Sequence, residues 1–165
     1  MDTFFEQIIK IKKTGKTWVG YIGIALAAIL VMTFAIRYLP EISIVIIALT
    51  LYGAYKLYSL MSIEYEYIIT NSSMDIDKII SKSSRKRVMS FDLSAVERIE
   101  KYRKDLPKDL LNDVFFACNL NDENAFVMVI HPEGKAKKTV VIAPDERMRD
   151  AMVKFLPKFI SDSIK

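Results

Sequence analysis

The chain has one cysteine and one histidine in 165 residues, and these scarcities narrow its chemistry at the outset. Cys118 has no second thiol with which to close an intramolecular disulfide, and a small thiol within an apolar run suits burial in a reducing compartment. His131 and Cys118 are the one thiol–imidazole pair the composition allows. They fall on different expected strands, and a lone histidine beside Pro132 reads as a strand end. Glycine is also scarce, and no glycine-rich loop that would cradle a phosphate accompanies the acidic residues. Nor is there a concentrated excess of charge. A net +4 falls short of the basic surplus that nucleic-acid binders carry, so that class is set aside. No cofactor, no catalytic set and no metal centre is expected. Asp75 and Asp77 alternate as on the solvent face of a strand. Asp105, Asp109 and Asp113 would share a face only in a helix that Pro107 disfavours.

Charge is missing altogether from one long stretch. Trp18 to Ile36 reads WVGYIGIALAAILVMTFAI, and at the rise of an α-helix it spans roughly 28 Å, close to a hydrocarbon core. After Arg37-Tyr-Leu-Pro-Glu41 a second apolar run continues from Ile42 to Ile63, broken only by Lys56, whose stem can lie in lipid while its ammonium reaches the headgroups. The pattern predicts a transmembrane hairpin over 17–63, with helices at about 18–38 and 42–62. The first run is longer than a signal-peptide core, and its Ala-x-Ala pattern, Ala25 to Ala27, lies mid-helix, so cleavage is not expected. Lys10, Lys12, Lys13, Lys16, Trp18 and Lys56 are the expected membrane-interface residues. The lysines before the first helix and the cations after the second place both termini in the cytoplasm of a multi-pass plasma-membrane protein. In residues 1–16, Phe4, Phe5, Ile8 and Ile9 recur at helical spacing ahead of the lysines, which predicts an interfacial helix or a frayed extension of the first span.

Apolar residues make up 52% of the chain and charged residues 27%, unevenly placed, so 64–165 is left as one soluble domain. Here the pattern turns to short alternation. Strands are expected at Glu64–Thr70, Met74–Ile80, Arg87–Leu93, Val96–Tyr102, Val114–Leu120, Ala125–His131 and Lys138–Ala143, with Asn71-Ser-Ser as a hairpin turn. Tyr65, Tyr67, Phe91, Phe115, Phe116 and Phe126 read as core. A final helix begins after Pro144, with Asp145 and Glu146 in its first turn. Met148, Met152, Phe155, Leu156 and Phe159 lie along one face until Pro157 ends or kinks it. The expected fold class is α+β: a two-helix hairpin, then a bent antiparallel sheet or open barrel capped by a C-terminal helix.

The MDTFFEQI start, the two apolar helices, EYEYIITNSSMDIDKIISKSSRKRVMSFDL and the APDERM opening of the last helix resemble an uncharacterised family of small bacterial membrane proteins. The strand order resembles the pleckstrin-homology (PH) superfold. That resemblance implies binding of phospholipid, peptide or protein, without choosing among them. In such folds the basic phosphoinositide residues flank the first hairpin loop. Here that loop is expected at Asn71–Ser73, which has no cation.

The densest basic segment is Ser81-Lys-Ser-Ser-Arg-Lys-Arg87. Lys82, Arg85, Lys86 and Arg87 are the candidate lipid-binding residues, able to pair with phosphates, while the plainer reading is a solvated loop obeying the positive-inside rule. The expectation is a non-enzymatic, membrane-tethered interaction domain that binds a protein or peptide partner, or itself, at the open sheet edge and the groove beside the final helix. The alternative is a sensor of anionic phospholipid through the basic loop. Besides the bilayer, the expected partners are therefore protein or lipid, with no nucleic acid.

Overall fold

The computed structural model describes residues 3–103, 114–119, 121–131, 136–161 and 163–164. The chain divides into two compact units. One comprises Lys12–Ile63 with Ile80–Ser84, and the other Met1–Ile11, Glu64–Ile79 and Arg85–Lys165.

The first unit is a helical hairpin, α1 (Gly15–Tyr38) and α2 (Ser43–Leu60), joined by Leu39 and a 3-10 turn over Pro40–Ile42. Proline opens that turn, where its missing N–H costs nothing. Both helices are long and apolar enough to cross a membrane, and they are apolar all round: Val19, Leu30 and Ile44 face outward, and among their residues Ala35 is the buried one. A helix that is hydrophobic on every side normally lies in a large core, and these do not. Two threonine hydroxyls are satisfied within their own helices. Thr33 Oγ1 donates to the carbonyls of Ile29 and Leu30, and Thr50 Oγ1 to that of Ile46, as an apolar surround requires.

A turn at Ser81–Ser83 belongs to the same unit. The Ser81 N–H donates to the Ser62 carbonyl at 3.0 Å, and the Ser59 and Ser81 hydroxyls are hydrogen-bonded to each other. Ser81 and Lys82 both have positive φ, 58° and 56°, and the Ser83 N–H closes the turn on the Ile80 carbonyl. Two successive left-handed residues make a type I′ hairpin turn.

The second unit holds eight strands among the described residues: β1 (Phe4–Lys10), β2 (Ile63–Thr70), β3 (Ser73–Ile80), β4 (Ser84–Asp92), β5 (Val96–Lys101), β6 (Val114–Phe116), β7 (Phe126–Ile130) and β8 (Lys138–Ile142). They form two sheets, ordered β1-β2-β3-β4 and β5-β7-β8-β6. The seven strands expected after the hairpin are present, β6 shorter than expected. No closed barrel forms among the described residues, and β6 pairs with β8 in parallel, so the second sheet is mixed. Helices α3 (Glu146–Val153) and α4 (Lys158–Ser161) follow, separated at Pro157 as its missing donor dictates. Asp145 caps α3, its carboxylate accepting from the Met148 N–H at 2.8 Å. Met148, Met152 and Leu156 are buried as expected, but beyond the break the phase shifts. Ile160 and Ile164 take the inner positions, and Phe159 is 78% exposed.

The largest departure is at the N-terminus. The helix expected over residues 1–16 is instead strand β1 over Phe4–Lys10, paired antiparallel with β2 from Phe4↔Thr70 to Lys10↔Glu64. The domain therefore begins before the apolar hairpin, which is inserted between two neighbouring strands of one sheet. Phe5, Gln7 and Ile9 alternate inward and Phe4, Glu6, Ile8 and Lys10 outward, the period of two of a strand.

The inner face of β2 ties the two sheets together. Tyr67 is fully buried, its hydroxyl donating to the Ala117 carbonyl at 2.8 Å and accepting from the Ala143 N–H at 3.3 Å. Tyr65 packs edge-on against Phe115. Tyr65, Tyr67, Phe91 and Phe126 are core, with Phe115 and Phe116 half-buried.

Candidate interaction surface

Strand β1 is the edge of its sheet, and its other side pairs with no strand among the described residues. Beyond its pairing with β2, one side chain ties it to the start of α3. Gln7 Nε2 donates to the Ala143 carbonyl at 3.1 Å, and its Oε1 accepts from the Asp145 N–H at 2.9 Å, so β1 is pinned where α3 begins. The two surfaces expected to bind a partner, the open sheet edge and the groove beside the final helix, thus meet at one place. Phe5, Glu6, Asp145, Arg147 and Met148 line a groove of about 140 Å³ there. On the outward face of the same strand Phe4 is 61% exposed and Ile8 45% exposed. Apart from Phe159, these are the large exposed hydrophobic side chains of this unit among the described residues.

Beside them lies a line of charge across the sheet. Arg85 Nη1 stands 2.9 Å from Glu66 Oε2, and Arg87 spans Asp75 and Asp77 at 3.0 and 3.2 Å. Glu66 has no exposed side-chain surface, and neither of its oxygens has an aligned hydrogen-bond partner among the described residues. Burial raises its carboxyl above the usual range, the neighbouring Glu6 carboxyl adds to this, and Arg85 opposes it. The acidic pair Asp75 and Asp77 is engaged by Arg87, and no cluster of three metal-ligating side chains occurs among the described residues. Asp105, Asp109 and Asp113 lie outside the described residues.

The four candidate lipid-binding cations are therefore not equivalent. All four are exposed, but Arg85 and Arg87 also pair with carboxylates of their own sheet, while Lys82 lies in the Ser81–Ser83 turn and Lys86 on β4. The basic segment was expected as a loop but is mostly strand, which is what turns the two arginines toward the acids.

Of the residues expected at the membrane interface, Lys12, Lys13, Lys16, Trp18 and Lys56 belong to the hairpin unit. Lys13 Nζ donates to the Tyr58 hydroxyl at 3.1 Å and lies 4.7, 5.1 and 5.9 Å from the ring centres of Tyr21, Tyr58 and Trp18. The Tyr58 hydrogen bond, opposed by burial and reinforced by nearby Tyr21, raises the Lys13 ammonium above the ordinary lysine value. Lys56 Nζ sits 5.8 Å from the Tyr52 ring, Lys16 is exposed at the start of α1, and Lys12 is exposed just before it. Lys10 lies on β1 opposite Glu64. Sequence reasoning found Lys13 and Trp18 but not Tyr21 and Tyr58 as one cage with them, because those tyrosines belong to different helices.

The two residues of the thiol–imidazole pair have separate partners. His131 Nδ1 is 2.8 Å from Glu97, which Lys137 also holds at 2.7 Å. Cys118 is buried among Ala125, Val127, Val141 and Ala143, and burial pushes its thiol up to about 12, away from the reactive thiolate.

A family model described as "Bacterial PH-like domain (DUF6106)" matches residues 1–162, and the chain belongs to that family. No curated protein and no solved structure matches it.

Proposed function

We propose that this PH-like protein is a non-enzymatic, membrane-tethered interaction domain that binds a protein or peptide partner along β1 and the adjoining groove at α3. Tethering is carried by one observation: both helices of the hairpin present apolar side chains on all sides, a surface that water does not tolerate and a bilayer does. Because the hairpin joins two paired strands, both of its ends leave the bilayer on the same side. The lysines at that end favour the cytoplasmic face of the bacterial plasma membrane, with both termini there.

A domain already covalently fixed at the membrane has no need of lipid affinity for recruitment, which favours a protein ligand. The edge strand with Phe4 and Ile8 exposed beside the groove offers main-chain pairing and apolar anchors together. Lipid sensing by residues 82–87 is the weaker reading, since Arg85 and Arg87 are already paired. The test is photo-crosslinking in cells, with benzoylphenylalanine replacing Phe4 in the full chain and Lys101, on the far sheet, as control. A discrete protein adduct from position 4 and none from 101 is expected. Absence of an adduct at 4, or the same adducts at both, would sink this reading.

A further inference from the structure

We infer that β1 pairs with the β1 of a second copy of this chain, antiparallel and centred on Ile8. The pairing rests on the reading of β1 as a partner-binding edge and adds the identity of the partner and its register.

The backbone of β1 is open to such pairing. Its seven residues hold an unbroken register with β2 and include neither the proline nor the bulge that commonly blunts an edge. The Asn71 N–H donates to the Thr3 carbonyl at 2.9 Å, and the Thr3 N–H to Asn71 Oδ1 at 3.1 Å, so Thr3 turns its main-chain groups toward β2. Alternation along an antiparallel strand turns those of Phe5, Gln7 and Ile9 the same way, and those of Phe4, Glu6, Ile8 and Lys10 to the open edge. The Lys10 carbonyl agrees with this, accepting from Asn119 Nδ2 at 3.1 Å on that side. A carbonyl has a second lone pair, so that bond does not close the ladder.

The side chains choose the occupant. A strand added antiparallel sets its residues opposite those of the edge and on the same face, and β1 carries Phe4, Glu6, Ile8 and Lys10 outward. A twofold axis at Ile8 puts Glu6 opposite Lys10 of the partner subunit, twice, with the two Ile8 side chains between these pairs. Charge then meets opposite charge, and an apolar side chain that is 45% exposed in the single copy meets its own kind. An axis at Gln7 would set Glu6 against Ile8 and Phe4 against Lys10. One at Glu6 would bring two carboxylates together, which is destabilising. Of the three, the axis at Ile8 makes the edge self-complementary, as an isologous interface demands. Within its own sheet Glu6 faces Ile68 and neighbours the Glu66 carboxyl, so a lysine arriving at Glu6 meets negative charge that Arg85 offsets only in part. Copies tethered in one membrane also meet at a raised effective concentration, which favours a short ladder of this kind.

Single cysteines in the full Cys118→Ala chain, oxidised with copper phenanthroline in native membranes, test the register. Residues on the axis lie about 5.5 Å apart between Cα atoms, within disulfide reach. The two copies of residue 6, displaced by four positions along the strands, are roughly 14 Å apart, as are those of residue 10. Ile8→Cys should therefore give a disulfide-linked dimer, and Glu6→Cys or Lys10→Cys alone none. Co-expressed Glu6→Cys and Lys10→Cys chains should link to each other. Charge reversal tests the recognition by pulldown between differently tagged full chains. Glu6→Lys and Lys10→Glu should each lose about tenfold in self-association, since each turns two attractive pairs into repulsive ones. The two variants together should bind each other as the wild type binds itself, which a mere folding defect would not allow.

A monomer from Ile8→Cys, equal dimer yields from all three single cysteines, or failure of the two charge variants to bind each other would overturn the inference. The photo-adduct at position 4 separates it from the reading beneath it. An adduct with a different protein, while Ile8→Cys stays monomeric, sinks the second copy and keeps the edge; no adduct at all sinks both.

Discussion

At the scale of single residues, two neighbouring side chains of β2 differ in face and in fate. Tyr67 is buried, and its hydroxyl serves a carbonyl and an amide of the other sheet. Tyr67→Phe keeps the ring and orphans both groups, so a loss of about 1–3 kcal/mol is expected in urea unfolding of the detergent-solubilised chain. An unchanged midpoint would mean that water replaces the hydroxyl. Glu66 is legible in the EYEY alternation only as a solvent-facing acid, because period-two reasoning sees one strand and not the strands beside it. With its folded-state pKa raised, the native chain holds the Glu66 proton more tightly than the unfolded chain does. Its contribution to stability is therefore present in acid and is lost as pH rises above the ordinary value of 4.5. Glu66→Gln should flatten the fall in stability above that pH and leave the variant the more stable of the two at neutral pH. Parallel stability–pH curves for the two proteins would contradict this.

At the scale of elements, the β3–β4 turn and strand β1 show what local sequence did and did not encode. Asn71 is a natural left-handed residue, and the turn it opens was readable. Ser81 and Lys82 adopt the same conformation without the asparagine or glycine that a type I′ turn favours, so nothing local announced it. Lys82→Gly relieves one left-handed side chain and should stabilise the chain by about 1 kcal/mol, measured as a raised melting temperature. A lowered melting temperature would show that the Lys82 side chain makes a contact worth more than that strain. The seven later strands and α3 were legible because alternation, turn residues and the Asp145 cap agreed. β1 was not, since Phe4, Phe5, Ile8 and Ile9 put apolar side chains on both faces and mimic helical spacing. Its partner β2 lies beyond the whole hairpin, where no local pattern reaches. Half of the candidate surface was hidden with it: the open edge and the groove beside the helix were foreseen, but not that β1 forms the edge or that Gln7 locks it to α3.

At the scale of the whole molecule, the apolar hairpin is an insertion between β1 and β2, so the pairing of those strands fixes both of its ends to one domain. If the helices span a bilayer, Thr3 and Ser72 must lie on one side and the Pro40–Ile42 turn on the other. The decisive measurement is labelling of single cysteines by an impermeant maleimide in right-side-out and inverted membrane vesicles. The cysteines are introduced at Thr3, Ser72 and Glu41 in a chain whose own Cys118 is replaced by alanine. Thr3→Cys and Ser72→Cys should label in inverted vesicles, and Glu41→Cys in right-side-out ones. Labelling of all three positions from the same side would contradict the spanning hairpin and the tethered domain built on it.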